Sequence, residues 1–216
     1  MKRISMPSFV SMLALATGLF SSPSFAQQSP LTRHHVTDSV DIDLSDDWRV
    51  ATRTQVVEFE EARKEMLDQA GVRPKVKPHE AVTFQAVRSM GSASITLGVT
   101  VMPGEASQSE VVGLSGQRIQ QLVGVFEQQF RTVLASAGGS DVVFSRPALA
   151  PIGGKTAIAY SVAFRTPDGV VRSGVKYHVY MRNATVVMST TAADTVPKSL
   201  RDAATAALRT VQLAER

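Results

Sequence analysis

Cysteine is absent from all 216 residues of the chain. Disulfide staples, thiolate nucleophiles and cysteine-ligated metal sites are therefore excluded. No apolar run approaches the ~20 residues needed to span a bilayer as a helix. No three basic residues stand together, and charged residues are only 19% of the chain, so the concentrated basic face that nucleic acid demands is missing. Aromatic residues are scarce, with a single tryptophan, Trp48. No internal repeat and no low-complexity segment occurs.

Catalytic signatures are also scarce. A nucleophile elbow, G-x-S-x-G, is not found; "GLSGQ" at 113–117 has the wrong spacing and reads as a helix start capped by Ser115, or as a loose first turn if Ser109 is the cap. The four histidines form neither H-x-x-x-H nor H-E-x-x-H. His34 and His35 are adjacent, so an extended backbone sends them to opposite sides, and His79 beside Glu80 is an isolated pair. Asp46 and Asp47 read as a turn in which a carboxylate accepts backbone N–H bonds, not as a glycosidase pair. "GGK" at 153–155 precedes a strand, whereas a phosphate loop needs its glycines before a helix. No catalytic residue, metal ligand or cofactor is expected.

What is present begins with an address. Lys2 and Arg3 precede an apolar stretch of about twelve residues, Phe9 to Phe20, and Ser24-Phe25-Ala26 is a small-x-small cleavage site. Residues 1–26 read as a signal peptide cleaved after Ala26, which places the mature protein in the periplasm or outside the cell. Without Lys2 and Arg3, 21 basic residues face 19 acidic ones, a net charge of +2. Residues 27–37 are polar, contain Pro30 and show no periodicity; they read as a flexible lead-in. Residues 38–216 are enough for one domain with its own core.

Within that domain, "VDIDL" alternates strictly and predicts a strand. Residues 54–70 predict a helix, with Phe59, Ala62, Met66, Leu67 and Ala70 as its apolar stripe and Gly71 as its stop. "AVTFQAVR" and "ASITLGVTV" predict two strands; in the second, Ala93, Ile95, Leu97, Val99 and Val101 share one face, and Ser92, Ser94, Thr96, Gly98 and Thr100 the other. The strongest helix starts at Ser109 or Ser115 and runs to about Ala137, with Ile119, Leu122, Val123, Phe126, Phe130, Val133 and Leu134 as its stripe. "DVVFSRPALA" predicts one short strand ending at Pro147. "KTAIAYSVAF", "VRSGVKYHVYM" and "TVVMSTT" predict a meander turning at "TPDG" and at Asn183. A closing helix starts at Pro197, with Leu200, Ala204, Ala207, Leu208 and Val211 as its stripe. The order is α+β: a mostly antiparallel sheet flanked by helices, an α/β/α sandwich.

The chain resembles the PsbP-like fold, shared by the PsbP photosystem protein, the Ran-binding Mog protein and many bacterial exported domains. "VDIDLSDDW" resembles the opening strand and tryptophan of that group, "PIGGKTAIAYSVAF" its glycine-then-small-residue strand, and "VKYHVYMRNATVVMSTTAAD" its penultimate hairpin. Ser45 and Asp47 stand where the group often has proline and glycine. The group shares no catalytic residues, so the resemblance implies a non-enzymatic protein that binds a protein or envelope partner, as an accessory, inhibitor or chaperone-like component. Its tryptophan position implies that Trp48 is a structural anchor, packed inward beneath a helix.

One surface stands out. Arg172, Lys176, His178, Tyr180 and Arg182 alternate onto one face of a strand. Three cations and two polar aromatics there would suit an anionic ligand or an acidic partner. A solvated sheet face, or long side chains lying over a neighbouring strand, gives the same pattern. An alternative to partner binding is a small-ligand carrier or enzyme with a pocket between the long helix and the sheet.

Overall fold

The computed structural model describes residues 30–72, 80–104 and 106–214. The expected signal peptide therefore lies outside the described residues, as do most of the "VRPKVKPH" connector and His79. The elements are β1 (Leu31–Thr37), β2 (Val40–Ser45), β3 (Trp48–Val50), α1 (Arg53–Gln69), β4 (Val82–Met90), β5 (Ala93–Pro103), α2 (Gln108–Val112), α3 (Gly116–Ser136), β6 (Ser140–Phe144), β7 (Ala148–Ile152), β8 (Lys155–Arg165), β9 (Val171–Met181), β10 (Ala184–Ala193), α4 (Lys198–Arg209) and β11 (Gln212–Leu213).

The large sheet runs in the order β3-β4-β5-β10-β9-β8-β6, with β7 paired to the other half of the outer edge of β8. Each recorded pairing is antiparallel. A second sheet, β1-β2-β11, adds three strands. The α+β class expected from the sequence is the one observed, with helices on both faces of an antiparallel sheet.

The two faces of the large sheet are covered differently. On one face lie α4 and the small sheet. Leu200, Ala204, Ala207, Leu208 and Val211 pack with Val40, Ile42 and Leu44 of β2 over Ile95, Leu97, Val99, Val186, Met188, Val179 and Met181. This is the principal core, and Trp48 belongs to it at 7% exposure. On the other face lie α1, α2 and α3, with smaller clusters where α2 and α3 meet β6, β8 and β9.

Several expectations need correction. Residues 31–37 are a strand, not a flexible lead-in. Every position of β1 except Val36 pairs with β2, and the cross-strand pairs Arg33–Asp43 (2.9 Å) and His35–Asp41 (2.7 Å) are electrostatic, so the strand carries no apolar alternation for a sequence reading to detect. "DVVFSRPALA" contributes to two strands that flank Pro147, because β6 and β7 pair with opposite halves of β8. The long helical stretch is two helices. Gly113 ends α2, and Ser115 starts α3 by accepting the Arg118 N–H at 3.3 Å. Pro197 is the N-cap of α4 rather than its first residue.

The helix α1 departs most from expectation. Its ends are well made: Thr52 and Gln55 form a capping box, and Gly71 closes it at φ +68°. Yet none of its 17 residues is buried.

Candidate functional site beneath the long helix

Strand β9 alternates as the sequence requires. Val175, Tyr177, Val179 and Met181 pack in or against the principal core. Arg172, Lys176, His178, Tyr180 and Arg182 take the opposite face, the one that carries α3. The sequence leaves open whether that face is exposed, and the structure divides it. Arg182 is exposed at the strand end, Arg172, Lys176 and Tyr180 are half-buried, and His178 is buried at 7% exposure.

Rings supplied by α3 and by the neighbouring strands cover the middle of the strand. Phe126 stacks on His178 at 4.8 Å between centroids, His178 on Tyr160 at 5.5 Å, and Tyr160 on Phe144 at 5.2 Å. Phe130 meets Phe144 and Phe164 edge-on, at 6.0 and 5.2 Å. Offset and edge-on rings pack at these separations. The register explains why these groups meet: Lys176 sits opposite Tyr160, and His178 opposite Ile158. Tyr180 packs against the cluster of Val111, Ile119 and Val123. Gln108 clamps α2 to the strands, donating from Nε2 to the Thr156 and Tyr180 carbonyls (3.0 and 2.8 Å) and accepting the Thr156 N–H at 2.9 Å.

Burial sets the charges here. It pushes His178 down to about 3, with the positive charge of Lys176 adding to the effect. Burial also raises the Tyr160 and Tyr180 hydroxyls above the usual tyrosine value. His178 is therefore neutral and Tyr160 protonated at any pH near 7, and the 2.9 Å contact between Tyr160 Oη and His178 Nε2 joins two neutral groups. The His178 ring is thus sandwiched between Phe126 and Tyr160.

Lys176 is different. Burial lowers its ammonium from the usual lysine value. Its Nζ lies 5.6 Å from the centroid of the Phe130 ring, a cation–π contact. No carboxylate lies within ion-pair distance of it among the described residues.

The other residues weighed from sequence fall into ordinary roles. His35 bonds Asp41 at 2.7 Å and lies 3.6 Å from Asp38 on an exposed strand; the Asp41 carboxylate raises its pKa. His34 points the other way, its ring 5.7 Å from Phe84. Asp47 accepts the Ser45 hydroxyl and pairs with Arg88, the residue opposite Trp48, so the two aspartates form the turn that leads into β3. Gly153 and Gly154, both at positive φ, make the turn between β7 and β8. Sequence reasoning did not single out Tyr160, Phe126, Phe130 or Gln108 for this site. The two phenylalanines belong to the stripe of the long helix, and Tyr160 alternates with Ile158, Val162 and Phe164 onto one face of "KTAIAYSVAF". The available signal was Tyr160 among the apolar residues of its strand; nothing in the alternation of β9 marks His178 as buried.

No protein-family model matches the chain, and neither does any curated protein. Among solved structures, it is similar to the crystal structure of LpqN, involved in cell envelope biogenesis of Mycobacterium tuberculosis, at 14% identity and a TM-score of 0.43, covering 87% of this chain and 92% of that one. It is also similar to the solution structure of cyanobacterial PsbP from Synechocystis, at 12% identity and a TM-score of 0.42, covering 91% of this chain and all of that one.

Proposed function

We propose that the protein is exported and non-enzymatic, and that it acts by binding a protein or envelope partner through the side of the sheet that carries α1 and α3. The observation that carries this reading is the contrast between two helices. Helix α4 buries Leu200, Ala204, Ala207 and Leu208. Helix α1 is longer and properly capped, yet none of its residues is fully buried, and it holds Val57 at 49% and Phe59 at 38% exposure. Its polar tie to the sheet is the Thr83 hydroxyl donating to Glu60 at 2.9 Å. A stable helix that keeps apolar side chains in water suits a surface that a partner covers. Arg172 and Arg182 stand at the two ends of β9 on the same side and would steer an acidic partner toward it.

Two further features support binding over catalysis. The core histidine is sealed between aromatic rings. The space between α3 and the strands, where a pocket would make an enzyme or carrier, is filled by Phe126, Phe130, Phe144 and Tyr160. Residues 1–26 supply the reason to place the protein in the periplasm or outside the cell.

The test is capture of partners from a periplasmic extract by the mature protein and by the double variant Val57→Glu/Phe59→Glu. Both positions are exposed, so stability should move by no more than about 0.5 kcal/mol per site. The reading predicts that the double variant loses the captured partner with its melting temperature intact. Equal capture by both proteins would contradict it.

A further inference from the structure

His178 and Tyr160 are the only titratable side chains buried among the described residues, and they bond each other. His178 lies in the middle of the contact that seats α3. Phe126 of α3 covers one face of its ring at 4.8 Å, and Tyr160 the other at 5.5 Å. Toward the N-terminus of α3, Ile119 and Val123 join a cluster with Ile158 and Tyr160; toward its C-terminus, Leu134 joins Val142 and Val162. These three are the only buried residues of the 21 in the helix. The principal core lies on the far face of the sheet, and its buried side chains carry no titratable group.

A proton on His178 finds no compensation there. No carboxylate lies within ion-pair distance of the ring among the described residues, and Tyr160 Oη is its one hydrogen-bond partner. Lys176 stands two positions along the same strand face, about 7 Å away at strand spacing, so protonation would set two cations side by side. The Phe126 face would gain a cation–π contact, a smaller effect than the hydration lost on burying the charge. Burial first, and the Lys176 charge second, keep the ring neutral down to about pH 3.

The surrounding elements supply no counter-charge. On β9, Tyr180 is a phenol whose burial raises its pKa, and Arg172 and Arg182 stand at the strand ends. Strand β8 brings only Tyr160 to this face, and β10 brings Thr185, Val187, Ser189 and Thr191. On α3, Glu127 is held by Arg131 at 2.6 Å and Arg118 is bonded to Gln121; on α2, Glu110 accepts the Ser107 N–H at 2.6 Å; on β6, Asp141 is held by Arg165 at 2.8 Å. Acid acts elsewhere at a lower pH or with the opposite sign. Hydrogen bonds hold Asp43, Asp141, Asp168 and Glu110 below the usual carboxylate range, so their contribution is lost only below about pH 4. Asp41 raises the pKa of His35, so acid strengthens that exposed pair.

We propose that His178 is an acid-triggered release for α3: protonation of its ring unseats the helix from β8 and β9 and uncovers the aromatic face made by Phe126, Phe130, Phe144 and Phe164, while the α4 side of the sheet stays folded. Above about pH 6.5 neither the seated nor the released ring carries the proton. Below it the released ring takes the proton up, and the seated ring does not until about pH 3, so the seated state loses stability as pH falls through that window. At pH 5 the ratio of seated to released helix falls by roughly thirtyfold. Release is local because α3 buries three residues, whereas the α4 side holds the principal core. The inference concerns how α3 is seated and does not depend on whether that side docks a partner.

The test measures backbone hydrogen exchange of the mature protein at pH 7 and at pH 5, with rates expressed as protection factors so that the intrinsic pH dependence of exchange is removed. Amides of α3 are expected to lose protection by roughly thirtyfold at pH 5 and to regain it on return to pH 7, while those of α4, β5 and β10 change by less than about threefold. Binding of an apolar fluorescent dye should rise in parallel, reporting the uncovered rings. His178→Phe keeps a ring between Phe126 and Tyr160 and takes no proton, so its α3 should hold the same protection at both pH values. His178→Gln, which can still bond Tyr160 Oη, makes the same comparison if the phenylalanine variant does not fold. Unchanged protection of α3 at pH 5 in the unsubstituted protein, an equal fall in α3 and α4, or an acid response that persists in a folded His178 variant would overturn the proposal.

Discussion

Gly174→Ala should destabilise the protein by about 3 kcal/mol or more, at or beyond the usual upper end for overpacking. Its melting temperature should fall by roughly 6–12 °C in a chain of this size. The reason is backbone, not side chain. A Cβ at Gly174 would lie 1.8 Å from the carbonyl oxygen of Thr190 and 2.8 Å from its carbonyl carbon. Neither can turn aside without parting β9 from β10 in the middle of the sheet. The Val175 N–H, which donates to Thr190 Oγ1 at 3.4 Å, would lose its partner in the same movement. Gly98→Ala is the matched control. Its Cβ would approach only Ser189 Oγ, a hydroxyl that can swing to another rotamer, so a cost below about 1 kcal/mol is expected. Thermal unfolding of the two variants side by side checks the argument. Equal stabilities would show that β9 and β10 do not approach this closely at Gly174.

Trp48→Ala should cost roughly 3–5 kcal/mol, the usual figure for emptying a buried tryptophan site. Trp48 sits where β3 pairs with β4, and it shares the core with Val40, Ile42, Leu44 and the inward face of α4. Strand β3 has only three residues, so its hold on the edge of the sheet depends on that ring. The turn before it is fixed by Asp47, which accepts the Ser45 hydroxyl and pairs with Arg88. Carboxylate hydrogen bonds thus do the work that proline and glycine do in the group the sequence resembles. Fluorescence offers a direct check: the single tryptophan of the folded protein should emit blue-shifted, and move to the emission of water-exposed tryptophan on unfolding. Emission typical of water in the native protein would contradict the anchor role.

Legibility in the sequence follows the strength of periodicity. Strands β2, β5, β8 and β10 alternate cleanly because one face of each is buried in the core and the other is not, and all were readable. So was α4, whose stripe of Leu200, Ala204, Ala207 and Leu208 is buried in full. Strand β1 was unreadable because it is held by cross-strand ion pairs rather than by apolar burial. Strands β3 and β11 are too short to show a period, and β7 was hidden behind Pro147. The stripe of α1 was real as a pattern but is only half-buried, with Phe59 exposed, since periodicity does not say how fully a surface receives it.

The β9 face shows the same limit. Alternation put Arg172, Lys176, His178, Tyr180 and Arg182 together, but only tertiary packing brings Phe126 onto His178 and Phe130 under Lys176. The small residues of β5 were visible as a stripe. That their face is only half-buried while Ile95, Leu97 and Val99 on the other are sealed depends on where the helices stand, which no local pattern encodes.

The central claim is that one face of the central strands is sealed by α4 and the small sheet, while the other, toward α1 and α3, is only half-covered. The absence of cysteine makes a clean measurement possible, because any introduced thiol is the only one in the chain. Maleimide labelling rates should be compared for Ser189→Cys on the half-buried face and Met188→Cys on the sealed face of the same strand. The account predicts that the Ser189→Cys thiol reacts in the native protein, while the Met188→Cys thiol reacts only after unfolding. Equal protection of both thiols in the native protein would contradict it.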